Sequence, residues 1–228
     1  YFKLLCSIGF KHIEVGFPSA SQDEYDFIRL LIEKNHIPDD VYIMGLTQMR
    51  PHLIERTIEA FDGCKRGIIH AYIAPSDLHM KQVFDLTSDE LIKTAVDSTK
   101  MIRNLVDRMP DSDIRYEFSP EEFTDTSIDF SIKLCNEVFQ AWEKATPEKQ
   151  IIFNLPATVE RRLPNEYADM IELFSRKINN RDSILISLHA HNDQGMAVAA
   201  TELALMAGAD RVEGTLFGHG ERTGNVDL

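Results

Sequence analysis

The sequence has few basic residues, few cysteines and no long apolar run, and each shortage excludes a class of protein. Lys and Arg number 24 against 37 Asp and Glu, a formal net charge of −13 that argues against a nucleic-acid or anionic-membrane surface. The cysteines are three and scattered (Cys6, Cys64 and Cys135), which is typical of reduced thiols in the cytoplasm. No apolar run approaches the ~20 residues that span a bilayer. We therefore expect a cytoplasmic globular protein with neither nucleic acid nor membrane as a partner.

What the chain does contain is an alternation of β-rich runs and helical patterns. The strand-like runs lie at 12–17, 41–46, 66–74, 113–118, 150–155, 183–190 and 210–217. Apolar residues recur at helical spacing in 23–35, 88–109, 127–145, 165–178 and 196–209. Ser88 is the predicted N-cap of the second helical pattern. Strands separated by helices predict a parallel sheet with right-handed crossovers.

Two α/β architectures fit this alternation, a doubly wound open sheet and a TIM (β/α)8 barrel. Nearly every predicted strand ends in a polar, Gly or Pro cluster, as in "HAHND" and "FGHGERTGN". A barrel collects residues from many strand ends, whereas an open sheet uses one switch point, so the pattern favours the barrel. Seven strands are visible where a closed barrel needs eight, and residues 1–11 resemble the end of a helix. We therefore expect an incomplete barrel whose first strand precedes residue 1, with 1–228 as a partial catalytic domain.

His189 and His191 are the strongest candidates for a metal site. Residues i and i+2 of a strand face the same side, so both imidazoles point together at the end of the sixth predicted strand. Two imidazoles so placed supply half of a divalent-metal site. Asn225 lies one βα unit later, and Thr158 and Glu117 lie one and two units earlier. A barrel would gather all five side chains at one end.

The same segments have plainer interpretations. An isolated HxH pair occurs in cores and on surfaces as well as at metals. Asn192 and Asp193 could cap the helix that follows, or Asp193 could order a histidine. The glycine-rich loop 218–224 could be a simple turn or could cradle phosphate. Its Glu221 and Arg222 could pair with charged neighbours or contact coenzyme A.

Several longer segments carry a family resemblance. "EVGFPSASQDEYDF", "EFSPEEFTDT", "FNLPATVE", "LHAHNDQGMAVAA" and "VEGTLFGHGERTGN" resemble the 2-isopropylmalate synthases, which are DRE-TIM metallolyases. The resemblance runs through nearly the whole chain. It implies a TIM barrel followed by linker and leucine-binding regulatory domains, which this chain does not include. It also implies a homodimer that condenses acetyl-CoA with 2-oxoisovalerate to give 2-isopropylmalate and CoA in leucine biosynthesis.

The resemblance implies roles for eight residues. These are His189, His191 and Asn225 as ligands of a divalent cation (Mg²⁺, Mn²⁺ or Zn²⁺), Thr158, His70 and Arg222 as substrate-binding residues, and Glu117 and Glu221 as catalytic residues. The family's further metal ligand is an Asp in an R-D-G motif, and no such motif occurs in this chain, so we expect the chain to be inactive alone. The segment "HAYIAPS" also departs from the family's usual "YNSTS" or "YNATS", which leaves the choice of 2-oxo acid open.

Other functions therefore stay open at this point. Homocitrate synthase, citramalate synthase and HMG-CoA lyase-like enzymes share the same general resemblance. A chain without the R-D-G motif could also be a non-catalytic fragment that only binds a metal or a partner. A metal-dependent hydrolase barrel would use an HxH pair too, but it would need further ligands that the other strand ends do not offer.

Overall fold

A computed structural model describes all 228 residues, from Tyr1 to Leu228. The strands are β1 (His12–Gly16), β2 (Tyr42–Gln48), β3 (Arg66–Ile73), β4 (Asp113–Pro120), β5 (Ile151–Ala157), β6 (Ile184–Ala190) and β7 (Arg211–Glu213). The helices are α1 (Phe2–Ile8), α2 (Gln22–Glu33), α3 (Pro51–Ala60), α4 (Asp77–His79), α5 (Ser88–Val106), α6 (Ile128–Trp142), α7 (Pro164–Lys177) and α8 (Ala197–Met206). None of these helices is long and apolar enough to cross a membrane.

The order of the strands decides between the two predicted architectures. They follow the sheet order β1-β2-β3-β4-β5-β6-β7, and the pairs with a described register are parallel. A doubly wound sheet would reverse its strand order at a switch point, so that alternative is wrong. The fold is an incomplete TIM (β/α)8 barrel, as the polar strand ends predicted.

The chain forms two compact units. Unit 1 comprises Tyr1–Tyr72 and Val96–Glu117, and unit 2 comprises Ile73–Ala95 and Phe118–Leu228. The boundary places His70 and Glu117 in unit 1 and the other six predicted site residues in unit 2.

The core of unit 1 is built around the ring of Phe61, which is fully buried just after α3. The ring lies against two glycines, Gly45 of β2 and Gly67 of β3. A Cβ added to Gly45 would come 2.5 Å from Cε2 of the ring, and one added to Gly67 would come 2.8 Å from Cδ1. Protein interiors pack without such overlaps, so the missing side chains at 45 and 67 make the space that the ring fills.

Gly45→Ala is therefore expected to destabilise the protein by about 1–3 kcal/mol through overpacking. Combining it with Phe61→Leu removes the edge of the ring, so the added cost of the alanine should fall below about 1 kcal/mol. Urea unfolding of the single and double variants measures both values. Strictly additive costs would mean that the ring does not set the spacing at position 45.

The core of unit 2 contains four phenylalanine rings in edge-to-face contact. Phe153 of β5 lies 6.2 Å from Phe118 and 6.4 Å from Phe174, and Phe174 of α7 lies 5.9 Å from Phe123. Such pairs stabilise a core beyond the apolar area that they bury. They fix α7 against β5, the strand that leads directly into Thr158.

Two features differ from the sequence-based expectations. The predicted N-cap Ser88 is wrong, because Ser88 is already the first residue of α5. Thr87 caps the helix instead: its hydroxyl accepts from the Glu90 amide (3.4 Å), and Glu90 accepts from the Thr87 amide (2.8 Å). This is the reciprocal pair known as a capping box. Helix α3 (Pro51–Ala60) was not predicted at all.

The last predicted strand, 210–217, is shorter than expected. Strand β7 ends at Glu213, and the chain then folds back so that the Thr215 amide donates to the Val226 carbonyl (3.1 Å). Phe217 adopts a left-handed conformation (φ 63°), which no strand residue does. Asn225 therefore reaches the site from a returning segment, bridged to His191, and not from the strand itself.

Candidate functional site

The carboxyl ends of β5 and β6 position the candidate site in unit 2. The two strands pair in parallel with Ala157 opposite Ala190. Thr158 and His191, the next residues of each strand, therefore leave the sheet side by side. His189 is one pleat earlier on β6, opposite Glu213 of β7.

Three donor atoms converge at this point. Nε2 of His189 and Nε2 of His191 are 3.2 Å apart, and Oδ1 of Asn225 is 3.1 Å from Nε2 of His189. Two imidazole nitrogens bound to one cation at ~2.1 Å in adjacent positions are about 3.0–3.4 Å apart. The spacing of the histidine nitrogens therefore fits a single metal ion.

The contacts of the other ring nitrogen of His189, Nδ1, also fit a metal-binding role. Nδ1 lies 3.3 Å from Oε2 of Glu213. Glu213 also accepts hydrogen bonds from Arg211 and, at 2.9 Å, from the Ser187 hydroxyl. A metal-binding histidine commonly donates its other N–H to a carboxylate, which leaves the Nε2 lone pair directed at the ion.

His191 fits less simply, because Arg222 contacts its second nitrogen. Nη2 of Arg222 is 2.8 Å from Nδ1 of His191 and donates to the Thr158 carbonyl at 2.6 Å, while Nε donates to Oδ1 of Asp193 at 2.8 Å. Ligation through Nε2 of His191 places the proton on Nδ1, where it would face an Arg222 donor. Cation binding therefore requires Arg222 to give up this contact.

The charges around His191 shift two ionisation equilibria. Burial, together with the neighbouring His189 and Arg222, lowers the pKa of His191 from 6.5 to about 4. The hydrogen bond from Arg222 lowers the pKa of Asp193 to about 2. His191 is consequently neutral at physiological pH, the protonation state that a metal ligand needs.

This shift predicts a pH dependence for the metal-free protein. The unfolded chain takes up a proton at His191 near pH 6.5, whereas the folded chain does so only near pH 4. The contribution of His191 to stability is therefore fully present above pH 6.5 and is lost as the pH falls toward 4. We expect the unfolding midpoint in EDTA to fall more steeply over this window for wild type than for His191→Asn. Parallel slopes would contradict the assignment.

The loop after His191 is anchored by a residue that the sequence analysis did not single out. The carboxylate of Glu160 is buried and accepts hydrogen bonds from the amides of Gln194 and, at 3.0 Å, Met196. Its own amide donates to Asp193 at 3.1 Å. Asn192 accepts from the amide of Ala197, the first residue of α8, at 3.1 Å, in line with the predicted capping role. The same prediction is wrong for Asp193, which accepts from the Glu160 amide and from Arg222 instead.

His70 and Glu117 lie close together in unit 1. Nε2 of His70 is 3.7 Å from Oε1 of Glu117, and its Nδ1 is 2.6 Å from Oε2 of Glu14. Both predicted residues are buried. Glu14 follows the start of β1 and carries no sequence signal beyond an acidic residue within an apolar strand.

The two remaining glutamates of interest have opposite environments. Glu221 has a side chain that is 83% exposed, with the Arg222 guanidinium at 3.8 Å. Glu121, which was not predicted, is half-buried after β4. Burial raises the pKa of its carboxyl, and the adjacent Glu122 raises it further. A carboxyl group that holds its proton to higher pH is suited to proton transfer. The cluster "SPEE" indicated a functional strand end but not which glutamate would be buried.

Comparison with known proteins places this arrangement in a family. The model of the HMGL-like family matches residues 1–228, and the chain belongs to that family. The 2-isopropylmalate synthase of Ralstonia nicotianae is 56% identical over 227 residues, which are 100% of this chain and 39% of that protein. The mitochondrial 2-isopropylmalate synthase 2 of Saccharomyces cerevisiae is 54% identical over 231 residues, covering 100% of this chain and 38% of that protein.

Solved structures show the same fold at much lower identity. An HMG-CoA lyase from Bacillus subtilis superposes with a TM-score of 0.70 at 20% identity, covering 99% of this chain and 73% of that one. An HMG-CoA lyase from Acinetobacter baumannii, solved with coenzyme A and 3-methylmalate, gives 0.68 at 16% identity, covering 99% and 71%. The chain spans about two fifths of the length of the curated relatives above.

Proposed function

We propose that this chain carries the barrel chemistry of a 2-isopropylmalate synthase, the condensation of acetyl-CoA with 2-oxoisovalerate to 2-isopropylmalate and CoA. The observation that carries the proposal is the donor set of His189, His191 and Asn225, within a chain whose relatives of that name are 50–56% identical over its whole length. A related acyl-CoA enzyme or a binding-only fragment has no comparable support.

The donor set would hold one divalent cation (Mg²⁺, Mn²⁺ or Zn²⁺), with imidazole and amide ligands that suit each of these to a different degree. When bound, such a cation supplies Lewis-acid polarisation of the ketone of the 2-oxo acid. Glu213 keeps the proton of His189 on Nδ1, and the lowered pKa of His191 keeps that ring neutral. His189 is thus prepared as a ligand, and His191 becomes one once Arg222 gives up its contact with Nδ1.

Thr158 and Arg222 would bind the carboxylate end of the 2-oxo acid. The Thr158 hydroxyl donates to the carboxylate, and the guanidinium of Arg222 beside it offsets the negative charge. In the reaction a methyl proton of the thioester leaves to a base and the new carbon–carbon bond forms at the ketone carbon. Water then cleaves the thioester and the CoA thiol departs. The roles implied for His70, Glu117 and Glu221 remain part of this proposal.

An acetyl-CoA-dependent thiol-release assay tests the proposal on the full-length product of the gene that encodes this chain. With Mg²⁺ or Mn²⁺ we expect thiol release with 2-oxoisovalerate and little with 2-oxoglutarate or pyruvate. Thiol release with another 2-oxo acid would support the same condensation chemistry but identify a different substrate. No release with any of the three would refute the proposal.

The proposal includes a cytoplasmic homodimer. The dimer follows from the family resemblance, and the compartment follows from three scattered cysteines without disulfide bonds. Light scattering of the purified full-length product tests the dimer, and a monomer at micromolar concentration would contradict it.

A further inference from the structure

Glu122 has an unusual backbone for a glutamate. It follows β4 with φ 56° and ψ 37°, in the left-handed region that residues with a Cβ generally avoid. Such a conformation persists only where the surroundings fix it, and it is concentrated at functional sites.

Side-chain and backbone contacts both fix Glu122 in place. Its carboxylate accepts from the hydroxyl of Ser76 and lies 2.7 Å from Nδ1 of His79. Its carbonyl accepts from the Thr126 hydroxyl at 2.9 Å. Ser76 is buried, so water does not substitute for these partners there.

The fixed backbone acts on Thr158. The amide of Glu122 donates to Oγ1 of Thr158 at 2.8 Å. A hydroxyl has one hydrogen to donate and two lone pairs that accept. With Glu122 occupying a lone pair, the hydroxyl orientation is restricted, and its hydrogen is directed to a different group.

We propose that Glu122 is a positioning residue for the 2-oxo acid. Its carboxylate, held by Ser76 and His79, keeps the Glu122 amide on Thr158, and this directs the Thr158 hydroxyl hydrogen to the substrate carboxylate. The inference rests on the proposed function, in which Thr158 binds that carboxylate. Ser76, His79 and Glu122 therefore set affinity for the 2-oxo acid and not for acetyl-CoA.

A double-mutant cycle on the full-length product tests this. Calorimetric titration with 2-oxoisovalerate in Mg²⁺ gives Kd for wild type, Glu122→Ala, Thr158→Val and the double variant. We expect Glu122→Ala to weaken binding about tenfold when Thr158 is present and less than about twofold when it is valine. Glu122→Gln, which still accepts hydrogen bonds, should retain most of the affinity. KM for acetyl-CoA should stay within about twofold.

Glu143 provides the matched control. It is a second glutamate with a left-handed backbone (φ 61°), but it is exposed and lies at the end of α6. Glu143→Ala should leave the Kd for 2-oxoisovalerate unchanged. Additive effects of Glu122→Ala and Thr158→Val would overturn the inference. If Glu122→Ala does not fold, Ser76→Ala replaces it and should weaken binding of 2-oxoisovalerate by a smaller factor. Unchanged affinity in the Ser76 variant would then overturn the inference. Wild type that fails to bind 2-oxoisovalerate would instead refute the proposed function.

Discussion

Replacing His189 with alanine is expected to lower cation-dependent thiol release by about a thousand-fold. Nε2 of His189 is the atom closest to both other donors, at 3.2 Å from His191 and 3.1 Å from Asn225. Lewis-acid stabilisation is worth several kcal/mol, and each 1.4 kcal/mol changes the rate about tenfold. Initial rates at saturating substrates and increasing Mn²⁺ measure the loss.

The control for this prediction is His52→Ala, the same substitution at an exposed histidine of α3, which should change the rate by less than about twofold. Paramagnetic resonance of free Mn²⁺ reports cation binding separately from turnover. His189→Ala should leave most of the Mn²⁺ free under conditions where His52→Ala binds it. Unchanged Mn²⁺ affinity in the His189 variant would rule out this donor set.

Glu160→Ala should have the second-largest effect, a loss of about 2–3 kcal/mol in the local stability of residues 191–197. Removing the carboxylate leaves the Gln194 and Met196 amides without their charged acceptor. A hydrogen bond to a charged group is worth about 1.5–3 kcal/mol, and Glu160 accepts two of them on its buried carboxylate. Hydrogen exchange across this segment should become about 30–150 times faster.

Glu166 is a matched control for Glu160. It also accepts a hydrogen bond from a backbone amide at the start of a helix, that of Leu163 at 2.9 Å, but its side chain is exposed. Glu166→Ala should cost only about 1 kcal/mol, confined to the first turn of α7. Equal protection of residues 191–197 in the Glu160 variant and in wild type would show that the carboxylate does not hold this loop.

Candidate site residues were predictable where two regularities are enough to place them: the alternation of side chains along a strand and the repeat of the βα unit. His189 and His191 follow from i, i+2 spacing at a strand end, and Asn225 follows from one further βα unit. Glu160 and Glu121 were missed because their importance depends on burial. An acidic residue in a polar loop looks the same in sequence whether it faces water or is buried and accepts hydrogen bonds from backbone amides.

The fold was predictable from the alternation of segments. Apart from the missed helix α3, the errors of the prediction lie at boundaries that local hydrogen bonds set. Thr87 and Ser88 are both acceptable N-caps by residue type, and only the reciprocal bond with Glu90 selects Thr87. β7 ends early because Phe217 is left-handed and because Gly214 lets Val226 approach: a Cβ at position 214 would come 2.6 Å from the Val226 carbonyl oxygen. The returning chain pairs Thr215 with Val226, at the two ends of a loop. A pattern of neighbouring residues does not reveal such a pairing.

The ring of Phe61 between Gly45 and Gly67 also constrains how the sequence of this chain can vary. The two glycines, on β2 and β3, and the ring, just after α3, meet in one small space in the core. Substitutions at these three positions should therefore occur together or not at all. A relative with alanine at either glycine position should carry a smaller residue in place of the phenylalanine. A relative that keeps the phenylalanine should keep both glycines. The packing of this core therefore predicts correlated substitutions at positions 45, 61 and 67 among related sequences.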